Sequence, residues 1–131
     1  MIVVDASAML ELLLRTETGA AVEAKLFRRD ETIHAPALID LEVAQVLRRF
    51  VARGDMTEAR ARASLDLLVA FPMERYSHET LVRRIWALRE NLTAYDAAYV
   101  ALAEGLRAPL LTCDSKLAAA PGLRAPIEVI S

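Results

Sequence analysis

The stretch Ile2-Val3-Val4-Asp5-Ala6-Ser7 decides how the rest of the chain is read. Three β-branched apolar residues in a row fit a short strand buried on both faces, the habit of parallel sheets. The strand stops at a carboxylate and a hydroxyl, and a helical pattern follows at once. Leu110-Leu111-Thr112-Cys113-Asp114-Ser115 repeats the arrangement near the other end of the chain. In an open parallel sheet, ligands sit in the crevice beyond the carboxyl ends of the strands. Parallel pairing of these two strands would bring Asp5 and Asp114 to one edge despite their distance in sequence.

Between them, helices and strands alternate. Ala8 to Arg15 reads as a helix capped by Ser7, with Met9, Leu10, Leu12, Leu13 and Leu14 apolar on nearly every side. Thr18 caps a second helix, to about Arg29. Thr32 to Ala35 is a short strand, and Pro36 suits the first turn of a helix from Ala37 to Arg53, closed by Gly54. Thr57 to Ala70 makes a fourth helix, and Pro72 to Tyr76 reads as an edge strand, since proline cannot donate to the ladder. Ser77 caps a fifth helix with Leu81, Ile85, Trp86 and Leu88 at core spacing. Thr93 opens a sixth, Ala94 to Glu104, closed by Gly105, and Pro126 to Ile130 supplies the last strand. The pattern predicts one α/β domain over residues 1–131, a mostly parallel central sheet flanked by helices.

Composition narrows the function classes. A chain of 131 residues with 55% hydrophobic side chains can bury a proper core and is not disordered. The net charge is −2, so no global positive field marks a nucleic-acid binder, and any such contact must rest on local patches. Lys25 and Lys116 are the only lysines; every other basic side chain is Arg, suited to bidentate pairing with carboxylate or phosphate. The single cysteine, Cys113, cannot form an intrachain disulfide. Asp5 and Glu11 interrupt the opening apolar run, so neither a signal peptide nor a membrane span is expected, and a cytoplasmic location is the default.

Four carboxylates stand out. Asp5 has a plain reading as the end of a buried strand followed by a cap, and Asp114 as the N-cap of the turn Ser115-Lys116-Leu117. Thr93-Ala94-Tyr95-Asp96 is a capping-box pattern in which Asp96 reaches back to the Thr93 amide; taken singly, Asp96 reads as structural. Glu42 lies within the predicted third helix, beyond capping range. It flanks the apolar stripe of Ile39, Val43, Val46, Leu47 and Phe50, where an Arg such as Arg49 would ordinarily pair with it. Taken jointly, the four can meet only at the carboxyl edge of the sheet. Each pair about 5 Å apart would repel by about 3 kcal/mol at an effective dielectric of about 20. Such a cluster must hold a cation or hold protons. An all-oxygen set without His or Cys suits Mg²⁺ or Mn²⁺ rather than Zn²⁺, and such ions serve phosphate chemistry.

Four segments carry a family likeness: Ile2-Val3-Val4-Asp5-Ala6-Ser7, Ala35-Pro36-Ala37-Leu38-Ile39-Asp40-Leu41-Glu42-Val43, Leu92-Thr93-Ala94-Tyr95-Asp96-Ala97-Ala98-Tyr99 and Leu111-Thr112-Cys113-Asp114. Together they resemble the motif blocks of PIN domains, and more narrowly the VapC ribonuclease toxins of bacterial toxin–antitoxin pairs. The likeness spans nearly the whole chain in the right order and is specific as a set rather than block by block. It implies a PIN-like three-layer α/β/α fold and a Mg²⁺-dependent (or Mn²⁺-dependent) endoribonuclease that hydrolyses RNA phosphodiester bonds. It places the catalytic, metal-holding carboxylates on Asp5, Glu42, Asp96 and Asp114, with supporting hydroxyls on Ser7 and Thr112. Cys113 stands where similar proteins carry a small residue and reads as core packing. The likeness also implies a homodimer and a cognate antitoxin protein covering the N-terminal helices and the site. Leu10, Leu12, Leu13 and Leu14 offer more apolar surface than one face needs. Arg48, Arg49, Arg53, Arg83, Arg84, Arg89 and Lys116 are the candidates for a basic rim facing RNA. Trp86, Tyr95 and Tyr99 read as core or interface packing before base stacking.

Other classes fit less well. A phosphotransfer enzyme of the haloacid-dehalogenase type also opens with a strand ending in Asp, but it wants a second Asp where Ser7 stands. A receiver-type signalling domain needs its acceptor Asp at the end of a middle strand, and Glu42 falls in a helix. A catalytically silent PIN-like scaffold for protein contacts has no need of the complete acidic quartet.

Overall fold

The computed structural model describes residues 1–131. Five short strands, β1 (Ile2–Val4), β2 (Ile33–Pro36), β3 (Glu74–Tyr76), β4 (Leu110–Thr112) and β5 (Ile127–Val129), form one sheet in the order β3-β2-β1-β4-β5. Every neighbouring pair is parallel, so the sheet predicted as mostly parallel is parallel throughout. The chain lays β1, β2 and β3 outward to one edge, then returns to place β4 and β5 on the other side of β1. The winding therefore reverses between β1 and β4, the place where an open α/β sheet leaves its ligand crevice. Val3 aligns with Leu110 and Val4 with Leu111, and the Asp5 amide donates to the Leu111 carbonyl at 3.1 Å. Asp5 and Thr112 thus leave the sheet side by side.

Seven helices flank the sheet in the α/β/α manner: α1 (Ala6–Leu13), α2 (Glu17–Leu26), α3 (Ile39–Ala52), α4 (Glu58–Ala70), α5 (Val82–Ala87), α6 (Ala94–Leu106) and α7 (Ser115–Ala119). A 3-10 turn, Glu79–Leu81, runs straight into α5. Every residue of β1, β2 and β4 is buried, which explains their largely apolar runs; the polar exceptions, His34 and Thr112, are hydrogen-bonded. Helix α6 packs on β1, β2 and β4. Its continuous buried run, Ala97 to Ala103, contains four alanines, whose small side chains let the helix approach the strands closely. Helix α1 packs against α2, α3 and β4. The α1–α2 junction depends on Gly19, where a Cβ would lie 2.1 Å from the Glu11 carbonyl oxygen. None of the helices is long and apolar enough to cross a membrane.

Several boundaries differ from the predicted ones, and two of the shifts bear on the site. Helix α1 starts two residues early because Asp5, not Ser7, is its N-cap, the carboxylate accepting the Ala8 amide at 3.0 Å. Pro36 closes β2 instead of opening a helix; Ala37 donates the bond to the Tyr76 carbonyl at 2.8 Å that proline cannot make. Helix α3 therefore begins only at Ile39, and Glu42 falls in its first turn rather than beyond it. Leu38 has no capping oxygen of its own, and His78 Nε2 accepts its amide at 3.0 Å.

The remaining differences are local. Thr16 rather than Thr18 caps α2, and Ser77 caps nothing. Helix α6 runs through Gly105 because Leu106 still packs on the core, and it ends at Arg107 in the left-handed region, φ 53°. Trp86 is exposed, since Leu81, Ile85 and Leu88 already fill the inward stripe; the Arg89 guanidinium lies over its ring at 4.8 Å.

Candidate active site

The end of β1 and the start of α1 are one feature. Asp5 leaves the strand in extended conformation and caps the helix, so its carboxylate is fixed by the backbone turn it makes. Oδ1 accepts from the Ala8 amide and from the Ser7 hydroxyl at 2.7 Å, and Oδ2 accepts from the Thr112 hydroxyl. Ser7 in turn receives the Cys113 amide at 2.9 Å, and Thr112 receives the Asp114 amide at 3.0 Å. These two hydroxyls stitch the ends of β1 and β4 together around Asp5. The cap role read for Ser7 and the site role read for Asp5 fall to the same side chain, that of Asp5. Asp114 likewise caps α7, accepting the Lys116 amide at 2.9 Å on Oδ1.

Glu42 and Asp96 arrive on helices. Glu42 takes no arginine partner; the buried Tyr99 hydroxyl donates to its Oε1 at 2.6 Å. The Thr93 hydroxyl accepts the Asp96 amide at 3.2 Å, one half of the predicted capping box. The reciprocal half is missing: the Asp96 carboxylate does not reach back to the Thr93 amide and stays free on the cavity wall. Asp5, Ser7, Glu42, Asp96 and Asp114 line a single cavity of about 830 Å³, with Thr112 buried directly behind it.

The electrostatics are those of uncompensated negative charge. Burial raises the Asp5 carboxyl above the ordinary range, the Ser7, Thr112 and Ala8 donors pull it back, and the Asp96 charge raises it further. Burial also raises Glu42; the Tyr99 hydroxyl offsets part of this, and Asp96 and Asp5 add to it. Asp96 is raised by burial and then by Asp114, with the Thr93 hydroxyl easing it. No lysine or arginine forms an ion pair with any of the four; the protein's salt bridges all lie elsewhere. No three of the carboxylates close on a common point as a preformed cage. Asp5 is turned to its three donors and Asp114 to its cap, so the four share a wall rather than a centre.

Tyr99 is buried, as its reading as packing expected, but its hold on Glu42 was not foreseen. Its spacing was the available signal: Tyr99 lies three residues after Asp96 and so shares its helix face. Burial and the Glu42 charge raise its phenol far above the ordinary value, so it remains a hydrogen-bond donor at every working pH. Tyr99→Phe is expected to keep the fold and lose roughly ten- to a hundredfold in activity, because it releases Glu42 without touching substrate. Steady-state cleavage rates, with circular dichroism as the control for folding, check this.

The basic candidates divide. Arg48 and Arg49 line the cavity, are exposed and have no ion-pair partner. Arg84 is committed to Glu104, at 2.8 and 3.0 Å, and to the Gly122 carbonyl. Arg53 pairs with Asp55, Arg89 lies on Trp86, and Arg83 and Lys116 are outside the cavity lining. Cys113 packs against the core, and burial pushes its thiol up to about 11, so it is not a thiolate nucleophile at neutral pH.

Known proteins resemble this chain in sequence and in fold. The family model described as the PIN domain matches residues 2–123. Over 131 residues the chain is 43% identical to Ribonuclease VapC12 of Mycobacterium tuberculosis, with 100% of both chains covered. Among solved structures, the fold is similar to that of VapBC2 from Rickettsia felis bound to a DNA fragment from their promoter. The TM-score is 0.74 at 14% identity, and 100% of each chain is covered. A toxin–antitoxin complex from Klebsiella pneumoniae gives a TM-score of 0.62 at 22% identity, covering 98% of this chain and 100% of that one.

Proposed function

The chain belongs to the PIN-domain family and, within it, to the VapC ribonucleases; on that footing we propose that it is a divalent-metal-dependent endoribonuclease, the toxin of a toxin–antitoxin pair. The observation that carries the reading is the set of four carboxylates lining one cavity, none of them ion-paired to a lysine or arginine of the protein. The donor set fits Mg²⁺ or Mn²⁺: it is all oxygen, and neither His nor Cys lines the cavity. One oxygen each of Glu42 and Asp114 remains outside the protein's own hydrogen bonds, and the Asp96 carboxylate has only the Thr93 hydroxyl beside it.

When bound, a cation of this kind supplies an activated water and neutralises charge on the phosphodiester. The residues of the chain do the rest. Asp5 and Asp96 are assigned the direct contacts. Glu42, held by Tyr99, and Asp114, held by the α7 amide, complete the site. Ser7 and Thr112 keep Asp5 from rotating away, and Arg48 and Arg49 meet the phosphates flanking the cut. The partners that follow are RNA, a cognate antitoxin and a second copy of the chain. Leu10, Ala44 and Val46 line the same cavity and give an antitoxin segment apolar purchase.

Sequencing of RNA ends after brief expression tests the assignment and names the substrate together. New ends at a small number of defined positions are expected, and they are absent from cells expressing Asp96→Asn. An RNA population indistinguishable from that of uninduced cells would rule the nuclease out.

A further inference from the structure

Two side chains on the cavity wall have no part in the chemistry above. Leu41 is 75% exposed and Tyr95 is 65% exposed, and both line the acidic cavity. Each stands immediately before a carboxylate, Leu41 before Glu42 in the first turn of α3 and Tyr95 before Asp96 in the first turn of α6. The fold makes no use of the tyrosine. Thr93 caps the helix without it, its hydroxyl enters no hydrogen bond, and its ring is in neither of the aromatic pairs nor under either guanidinium.

We infer that Tyr95, backed by Leu41, is the platform on which an unpaired nucleobase beside the scissile phosphate rests, and that it sets the enzyme's preference at that position. The inference depends on the nuclease reading and deepens it. Single-stranded RNA is gripped by stacking unpaired bases on aromatic rings while cationic side chains follow the backbone. All the parts line one cavity: the carboxylates, the free guanidinium groups of Arg48 and Arg49, and an unengaged aromatic ring. The position next to Asp96 matters because a base held there orients the adjoining phosphate against the acids. A protein segment has other apolar purchase in the same cavity, on Leu10, Ala44 and Val46, and has no need of a flat ring beside the carboxylates.

The test uses a randomised single-stranded oligoribonucleotide pool with Mg²⁺ or Mn²⁺. The preferred site is then resynthesised intact and with an abasic nucleotide on either side of the cut bond. Tyr95→Ala is expected to lower kcat/KM on the intact strand about tenfold, with Tyr95→Phe within about twofold of the parent. The abasic strand should cost the parent a similar factor and cost Tyr95→Ala nothing further, a non-additivity that a merely structural role does not produce. Parental kinetics in Tyr95→Ala, or a full abasic penalty that persists in it, would overturn the inference and assign the ring to a protein partner. A parent that cuts nothing in the pool brings down the nuclease reading as well, and so is told apart from failure of the platform alone.

Discussion

The Asp96→Asn protein is expected to fold at least as well as the parent and to cleave RNA roughly 10³-fold more slowly, the loss of several kcal/mol of transition-state stabilisation. Both halves follow from the geometry. The Asp96 carboxylate gives no reciprocal bond to the helix it begins, and the cap survives substitution because Thr93 binds the backbone amide rather than the side chain. Removing the charge also relieves the repulsion among Asp96, Asp114, Asp5 and Glu42. Asp5→Asn makes the useful contrast. There the side chain accepts from Ala8, Ser7 and Thr112, and an amide nitrogen cannot replace an accepting oxygen. Asp5→Asn should therefore lose activity and also about 1–3 kcal/mol of stability. Urea titrations beside cleavage rates separate the two. An Asp96→Asn protein with parental activity would remove Asp96 from the chemistry.

Metal removal has the second large effect, and its pH dependence carries a definite sign. The folded pKa values of Asp5, Glu42 and Asp96 are raised, chiefly by burial. Above the ordinary carboxylate range the unfolded chain has released protons that the folded site still holds. Stability of the metal-free protein contributed by these three groups therefore falls as pH rises from that range through the raised values. A divalent cation offsets the same repulsion, and at about a hundred times its dissociation constant it adds about 2.7 kcal/mol. EDTA is expected to abolish cleavage. Mg²⁺ or Mn²⁺ should restore it and raise Tm at neutral pH, with the Tm gain disappearing once the carboxyls are protonated at acid pH. The Asp96→Asn protein should show a reduced gain. A Tm indifferent to both ions at neutral pH would contradict the proposed site.

How far the sequence foretold this depends on what each signal measures. Strands buried on both faces are legible because burial on both sides demands an unbroken apolar run, as in Ile2–Val4 and Leu110–Thr112. The acids at their ends were legible for the same reason, since a carboxylate ends such a run abruptly. The exchange of roles between Ser7 and Asp5 was not, because either oxygen can cap a helix and only the Thr112 and Cys113 contacts, over a hundred residues away, decide between them. Glu42 was placed on a helix flank with Arg49 as its natural neighbour. Spacing within α3 cannot see Tyr99, which comes from α6 and takes that position instead. Pro36 misled by two residues, since a proline suits both a first helical turn and a strand end, and only pairing with β3 distinguishes them. Trp86 was assigned inward on its spacing with Leu81, Ile85 and Leu88; those three already fill the buried stripe.

The central claim is that the cavity bounded by Asp5, Glu42, Asp96 and Asp114 is where a divalent cation sits. Anomalous diffraction from crystals of the protein grown with Mn²⁺ tests it most directly. The expected result is a manganese peak in that cavity within bonding distance of Asp96 and at least one other of the four, and absent from crystals of Asp96→Asn. Manganese bound only elsewhere on the surface, with the cavity holding water alone, would contradict it.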